Sequence, residues 1–148
     1  MSVNQENLLN DLLVMLFNEI LDVEQKALIT GTFKEISITN NDMHVIEAIG
    51  MGTPKNMSSI AKELSVTVGT LTIAMNSLVK KGYVSRVRSA QDKRVVLLSL
   101  TDKGLSAYEK HAAFHQKMVS TVMEGLDGQE MEVLAHALEK LRGYFKVL

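Results

Sequence analysis

The sequence predicts a mainly α-helical fold carrying one small β-hairpin. Three observations predict it: long stretches of apolar residues at three-and-four spacing, a single pair of β-branched runs around a short polar loop, and only one proline in 148 residues. With 46% hydrophobic and 22% charged residues, the chain can bury a core and is neither disordered nor collagen-like.

From about Gln5 to Ile29, apolar side chains recur at Leu8, Leu9, Leu12, Leu13, Leu16, Ile20 and Val23, which predicts a long first helix ended by Gly31. Thr39, with Asp42 three residues on, forms a capping box for a second helix to Ile49, broken by Gly50 to Pro54. Asn56 caps a short helix, Met57 to Leu64, with Met57, Ile60, Ala61 and Leu64 as its buried stripe. After a brief turn at Ser65 and Val66, Thr67 caps a fourth helix, Val68 to Lys81, with Gly82 just beyond it. Tyr83–Arg88 and Arg94–Leu100 read as hairpin strands around Ser89–Lys93. Thr101 and Asp102 open a long helix to about Glu124, which Gly125 stops, and Asp127 with Glu130 opens the last helix. In that helix Met131, Leu134, Leu138, Leu141, Phe145 and Leu148 form a seam with alternating intervals of three and four. A seam of this kind needs a partner helix, and with the apolar face of the first helix it predicts a homodimer, with an intramolecular bundle as the alternative.

Cysteine is absent, which removes disulfides, thiolate metal sites and thiol redox chemistry, so a cytoplasmic location is expected. The longest apolar run is Leu12–Phe17, so no membrane span is expected, and the first seven residues contain Glu6 without Lys or Arg, so no secretory leader is expected.

The formal charge of −1 hides a strong segregation. Between Lys55 and Lys103 there are nine basic and three acidic side chains, a net of plus six; the rest of the chain has seven basic against fourteen acidic, a net of minus seven. Such a segment suits a polyanion. Winding the fourth helix at about 100° per residue places Leu71, Ala74, Met75 and Leu78 on one side as core. The opposite side collects Gly69, Ile73, Asn76 and Lys80, flanked by Thr70, Thr72 and Ser77, and no carboxylate occurs between Glu63 and Asp92. Short, uncharged groups let a helix enter a major groove closely; Asn76 can address adenine, and the methyls of Thr72 and Ile73 can touch thymine. Arg86, Arg88, Lys93 and Arg94 are expected together on the hairpin, able to reach a minor groove, with Asp92 pairing a neighbouring arginine.

The run Asp92-Lys93-Arg94-Val95-Val96-Leu97-Leu98-Ser99-Leu100-Thr101 resembles the Asp-x-Arg…Leu-Thr signature of the MarR family of winged helix-turn-helix repressors. Asn56 to Leu78 and Lys80-Lys81-Gly82-Tyr83-Val84 resemble the helix-turn-helix and its link to the wing. The resemblance implies one domain over residues 1–148, with 39–101 as the winged helix-turn-helix DNA-binding region and 1–30 and 102–148 as a helical dimerisation region. Its implied partner is double-stranded DNA, an A·T-rich pseudo-palindromic operator, since many members carry Arg where this chain has Ile73. The DNA-binding residues expected on this basis are Ser58, Thr67, Gly69, Thr70, Thr72, Ile73, Asn76, Lys80, Arg86, Arg88, Gln91, Asp92, Lys93 and Arg94. Phe33–Ile38, Met43–Ile46, Val66–Thr72 and Arg86–Asp92 are similar to one branch, the repressors of fatty-acid synthesis genes, which implies acyl-acyl carrier protein as corepressor. Nine methionines and many leucines are compatible with an adaptable acyl tunnel, and equally with ordinary core.

No phosphate-binding Gly-rich loop or nucleophile elbow is present, so neither catalysis nor a cofactor is expected. His111 and His115, four apart on one helix, form a minor metal-site candidate together with His44 or Glu109. A regulator answering another ligand, or a winged-helix adaptor binding only protein, is the competing reading.

Overall fold

The computed structural model describes residues 3–30 and 38–148, without the side chains of 28–30. Six helices and three short strands follow in the order α1 (Val3–Thr30), α2 (Asn40–Ile49), β1 (Lys55–Asn56), α3 (Met57–Leu64), α4 (Val68–Lys80), β2 (Val84–Arg88), β3 (Val96–Leu100), α5 (Asp102–Glu124) and α6 (Gly128–Phe145). The stop expected at Gly31 and most of the Phe33–Ile38 stretch lie outside the described residues. Two compact units divide the chain, Met1–His111 and Ala112–Leu148, so α5 begins in the first and ends in the second.

Local side-chain chemistry sets the helix starts. Thr39 Oγ1 accepts from the Asp42 amide and Asp42 Oδ2 accepts from the Thr39 amide, both at 3.1 Å, which completes the expected box on α2. Asn56 Oδ1 accepts from Ser59 N at 2.8 Å, Thr67 Oγ1 from Thr70 N at 3.1 Å, and Asp127 Oδ1 from Glu130 N at 2.8 Å. The turn between α3 and α4 is made tight by Ser65, which takes the left-handed conformation at φ 56° while its N–H and that of Val66 donate back into α3.

The core of the first unit is built where these helices meet. Met43, Ile46 and Ile49 of α2, Ile60 of α3, Leu71, Met75 and Leu78 of α4 and Leu98 of β3 are fully buried. Of the stripe expected on α3, Ile60 and Ala61 are buried and Met57 and Leu64 pack at the edge. The strands form an antiparallel sheet in the order β1-β3-β2, with Arg86 opposite Leu98 and Lys55 also opposite Leu98. The sheet therefore has a third strand beyond the expected hairpin. A two-residue strand leaves no periodicity in the sequence, and its partner lies about forty residues on.

Gly82 turns the chain from α4 into β2 at φ +85°, a region that only glycine enters without strain. The start of α5 latches that turn: Thr101 Oγ1 donates to Gly82 O at 2.6 Å, Lys103 Nζ donates to Lys81 O at 3.0 Å, and the same ammonium stands 4.6 Å from the centre of the Tyr83 ring. In the second unit α6 buries none of its side chains: Leu134, Leu138 and Phe145 of the expected seam are exposed, and Met131 and Leu141 are half-buried.

Candidate nucleic-acid interface

The helical periodicity of α4 sorts its residues as expected. Leu71, Met75 and Leu78 are buried and Ala74 is partly so, while Gly69, Thr70, Ile73, Asn76 and Lys80 face outward. Ile73 is 75% exposed at the middle of that face. Thr72 Oγ1 donates to Val68 O at 2.8 Å, which uses its hydroxyl proton within the helix. Thr67 Oγ1 also donates to Thr70 Oγ1 at 3.0 Å, so the first turn is ordered by its own hydroxyls. A groove of about 520 Å³ beside this face is lined by Asn56, Ser58, Thr72, Arg86, Arg94 and Val96, among others. It brings together the start of α3, the outer side of α4 and the sheet. A helix start and two guanidinium groups on one groove suit a phosphodiester.

The hairpin loop is held by a compact set of bonds. Asp92 Oδ1 accepts from the backbone N and the Nε of Arg94, and Asp92 Oδ2 from its Nη2, all at 3.0 Å. This is the brace expected of Asp92. Ser89, buried at the base of the loop, accepts through Oγ from Gln91 N at 3.3 Å and Asp92 N at 3.4 Å, and its own N–H donates to Val95 O at 2.8 Å. Arg88 Nη1 donates to Lys93 O at 2.8 Å. The Arg94 hydrogen bonds hold the Asp92 carboxyl below the usual carboxylate range and raise the guanidinium in turn. With a lowered folded-state value, the brace is fully present above the ordinary carboxylate range and is lost as pH falls through the lowered one. It is intact throughout the neutral range.

Arg86 sits at the inner end of the expected cation group, on the strand face that Arg88, two residues on, shares. In a strand, residues two apart share a face, and Arg86 opposes the fully buried Leu98 and follows the buried Val84 by two. Its side chain therefore lies on the helix-facing side, where Nη1 donates to Asn76 Oδ1 at 2.6 Å. Gln91, Lys93 and Arg94 remain exposed at the loop. Three further cations of the basic segment serve the fold: Lys55 Nζ donates to Ala48 O at 2.8 Å, Lys81 Nζ lies 3.3 Å from Asp42 Oδ2, and Lys103 latches the turn. The net charge of the segment thus overstates the cationic surface. Burial pushes the Tyr83 phenol up, and the nearby Asp42 carboxylate adds to the shift.

The minor metal candidates are placed differently from one another. His111 is buried, with Nε2 2.9 Å from Glu47 Oε1 of α2, and Glu24 of α1 brings a carboxylate oxygen within 4.8 Å of a ring nitrogen of His111. His44 and Glu109 are exposed. Glu24 and Glu47 were not expected from the sequence, because their meeting with His111 depends on how three helices cross rather than on spacing along one.

Comparisons with known proteins give these features their context. Residues 27–111 match the family described as Transcriptional regulator SarA/Rot. The crystal structure of FabT from Streptococcus pneumoniae in complex with DNA is similar over 95% of this chain and 97% of that one, with a TM-score of 0.88 and 38% sequence identity. The multiple antibiotic resistance protein MarR of Escherichia coli is 31% identical over 85% of this chain and 94% of its own length. The transcriptional regulator ZitR of Lactococcus lactis is 29% identical over 75% of this chain and 78% of its own. No described helix is long and apolar enough to cross a membrane. The chain belongs to the MarR family of winged-helix, DNA-binding transcriptional regulators.

Proposed function

We propose that the chain represses fatty-acid synthesis genes, binding an A·T-rich pseudo-palindromic operator as a homodimer with long-chain acyl-acyl carrier protein as corepressor. The acid-free outer face of α4, centred on Ile73 and set beside the Asp92-braced wing, carries the DNA part of this reading. Ser58, Thr67, Gly69, Thr70, Thr72, Ile73, Asn76 and Lys80 supply the groove-facing side, and Arg86, Arg88, Gln91, Lys93 and Arg94, the last braced by Asp92, supply the wing. Likeness to the FabT–DNA complex over nearly the full length of both chains supports the fatty-acid part.

Dimerisation through residues 1–30 and 102–148 is supported by apolar side chains left uncovered in both stretches. Leu8, Leu12, Leu16 and Phe17 of α1 and Leu134, Leu138 and Phe145 of α6 are all exposed. Each such side chain contributes roughly 1.5–3 kcal/mol when covered, enough in sum to outweigh the cost of association. A two-fold dimer presents its reading helices about 34–36 Å apart, one helical turn of duplex.

Titration of A·T-rich operator DNA with the full chain, with and without palmitoyl- or oleoyl-loaded acyl carrier protein, tests the corepressor. The acylated carrier should tighten DNA binding, and by thermodynamic reciprocity DNA should tighten carrier binding by the same factor. Equal affinity in both arms would remove the acyl carrier from the mechanism. Arg88→Ala and Arg94→Ala should each weaken binding to all duplexes and lower the slope of log affinity against log salt by about one unit per lost phosphate contact. An unchanged slope would take the wing off the phosphate backbone.

A further inference from the structure

The wing loop is two turns in series, and different atoms hold them. The second, from Asp92 to Val95, closes through the backbone: Val95 N donates to Asp92 O at 2.9 Å, and Arg88 Nη1 donates to Lys93 O at 2.8 Å. The Asp92 carboxylate takes Arg94 through three bonds of 3.0 Å inside that same turn. The first turn, from Ser89 to Asp92, is closed by a side chain. Gln91 N and Asp92 N both donate to Ser89 Oγ, at 3.3 and 3.4 Å, and among the described residues no backbone carbonyl takes either amide. Ser89 is 7% exposed although its neighbours Arg88 and Ala90 are exposed. A buried hydroxyl is kept where its bonds matter. Its own N–H donates to Val95 O at 2.8 Å, which sets the hydroxyl on the last rung of the hairpin.

The brace and its direction therefore have separate causes. Asp92 can grip Arg94 wherever their turn points, since all three bonds lie within it. The Ser89 turn fixes where that pair points relative to β2. Arg94 lines the groove that Ser58, Thr72 and Arg86 share. An arginine that becomes ordered only on binding costs the complex conformational entropy. We propose that Ser89 is a positioning residue for DNA binding, whose hydroxyl aims the Asp92–Arg94 pair at this groove before a duplex arrives. The inference rests on the wing meeting phosphate, and it deepens that reading by naming the group that aims it.

A double-variant cycle on the full chain tests it, by anisotropy on an A·T-rich duplex over a salt series, at a temperature where melting curves show every variant folded. Ser89→Ala should weaken binding about five-fold, with the slope of log affinity against log salt unchanged, because Arg94 still reaches phosphate once bound. Ser89→Thr keeps a hydroxyl that can close the same turn and should stay within about two-fold of wild type. In an Arg94→Ala background, Ser89→Ala should cost less than about two-fold further, since no guanidinium remains to be aimed. A full five-fold loss in that background, or wild-type affinity for Ser89→Ala, would overturn the proposal and leave the wing on the duplex. So would a Ser89→Thr variant as weak as Ser89→Ala, which would tie the effect to volume. Wild-type affinity and slope for Arg94→Ala would overturn the wing reading and the proposal with it.

Discussion

Replacing Gly104 by alanine should destabilise the protein by about 3 kcal/mol and lower its midpoint of thermal unfolding by roughly 6–12 °C. A Cβ at this position would lie 2.0 Å from Tyr83 O, 3.1 Å from Tyr83 C and 3.3 Å from Leu100 Cβ. The first two are backbone atoms, and that backbone is held from several directions: Tyr83 N donates to Leu78 O at 2.9 Å and Thr101 N donates to Tyr83 O at 3.1 Å. The Tyr83 side chain is itself buried in the core. Relief requires α5 to move off the sheet, which would pull Thr101 and Lys103 from the turn at Gly82. Gly128→Ala is the control, since a Cβ there meets nothing within 4 Å, and its effect should stay within about 0.5 kcal/mol. Circular dichroism melts of the two variants decide the matter; equal midpoints would mean that α5 does not sit this close to β2.

Ile73→Glu should leave folding unchanged and reduce DNA affinity at least about 100-fold, roughly 3 kcal/mol. Ile73 is 75% exposed, so its replacement disturbs no core contact. On the proposed reading the new carboxylate would stand among duplex phosphates, at the centre of a face that has none between Glu63 and Asp92. Ile73→Val, which keeps a branched apolar surface, should cost less than about ten-fold. Anisotropy titrations at one fixed salt concentration, with melting curves run beside them, separate lost binding from lost structure. A loss below about ten-fold for the glutamate variant would move this face out of the groove.

Helix starts were legible because the chemistry that sets them is local. Thr39, Asn56, Thr67 and Asp127 each accept from an amide three residues ahead, a relation visible in any stretch of sequence. The two sides of α4 were legible for the same reason, since 100° per residue needs no knowledge of the rest of the chain. Features that depend on register or on helix crossings were not. The placement of Lys55 and Asn56 beside Leu98 and Leu97 has no local trace. The direction of Arg86 follows only once its opposite residue is known. Lys81 reads as one more cation near a helix end until α2 brings Asp42 to it, and the carboxylate of Glu47 against His111 is likewise set by the packing of α2 on α5 and not by spacing along the chain. The charge pattern therefore could not separate cations that face outward from cations that hold the fold.

Asn56 does two jobs in consecutive atoms: its backbone closes the sheet against β3, and its side chain starts α3. That corner ties the edge of the sheet to the first turn of α3 through one residue. Asn56→Ala therefore removes the cap of α3 while leaving the backbone pairing with β3 in place, so the two jobs of this residue can be separated in a single variant.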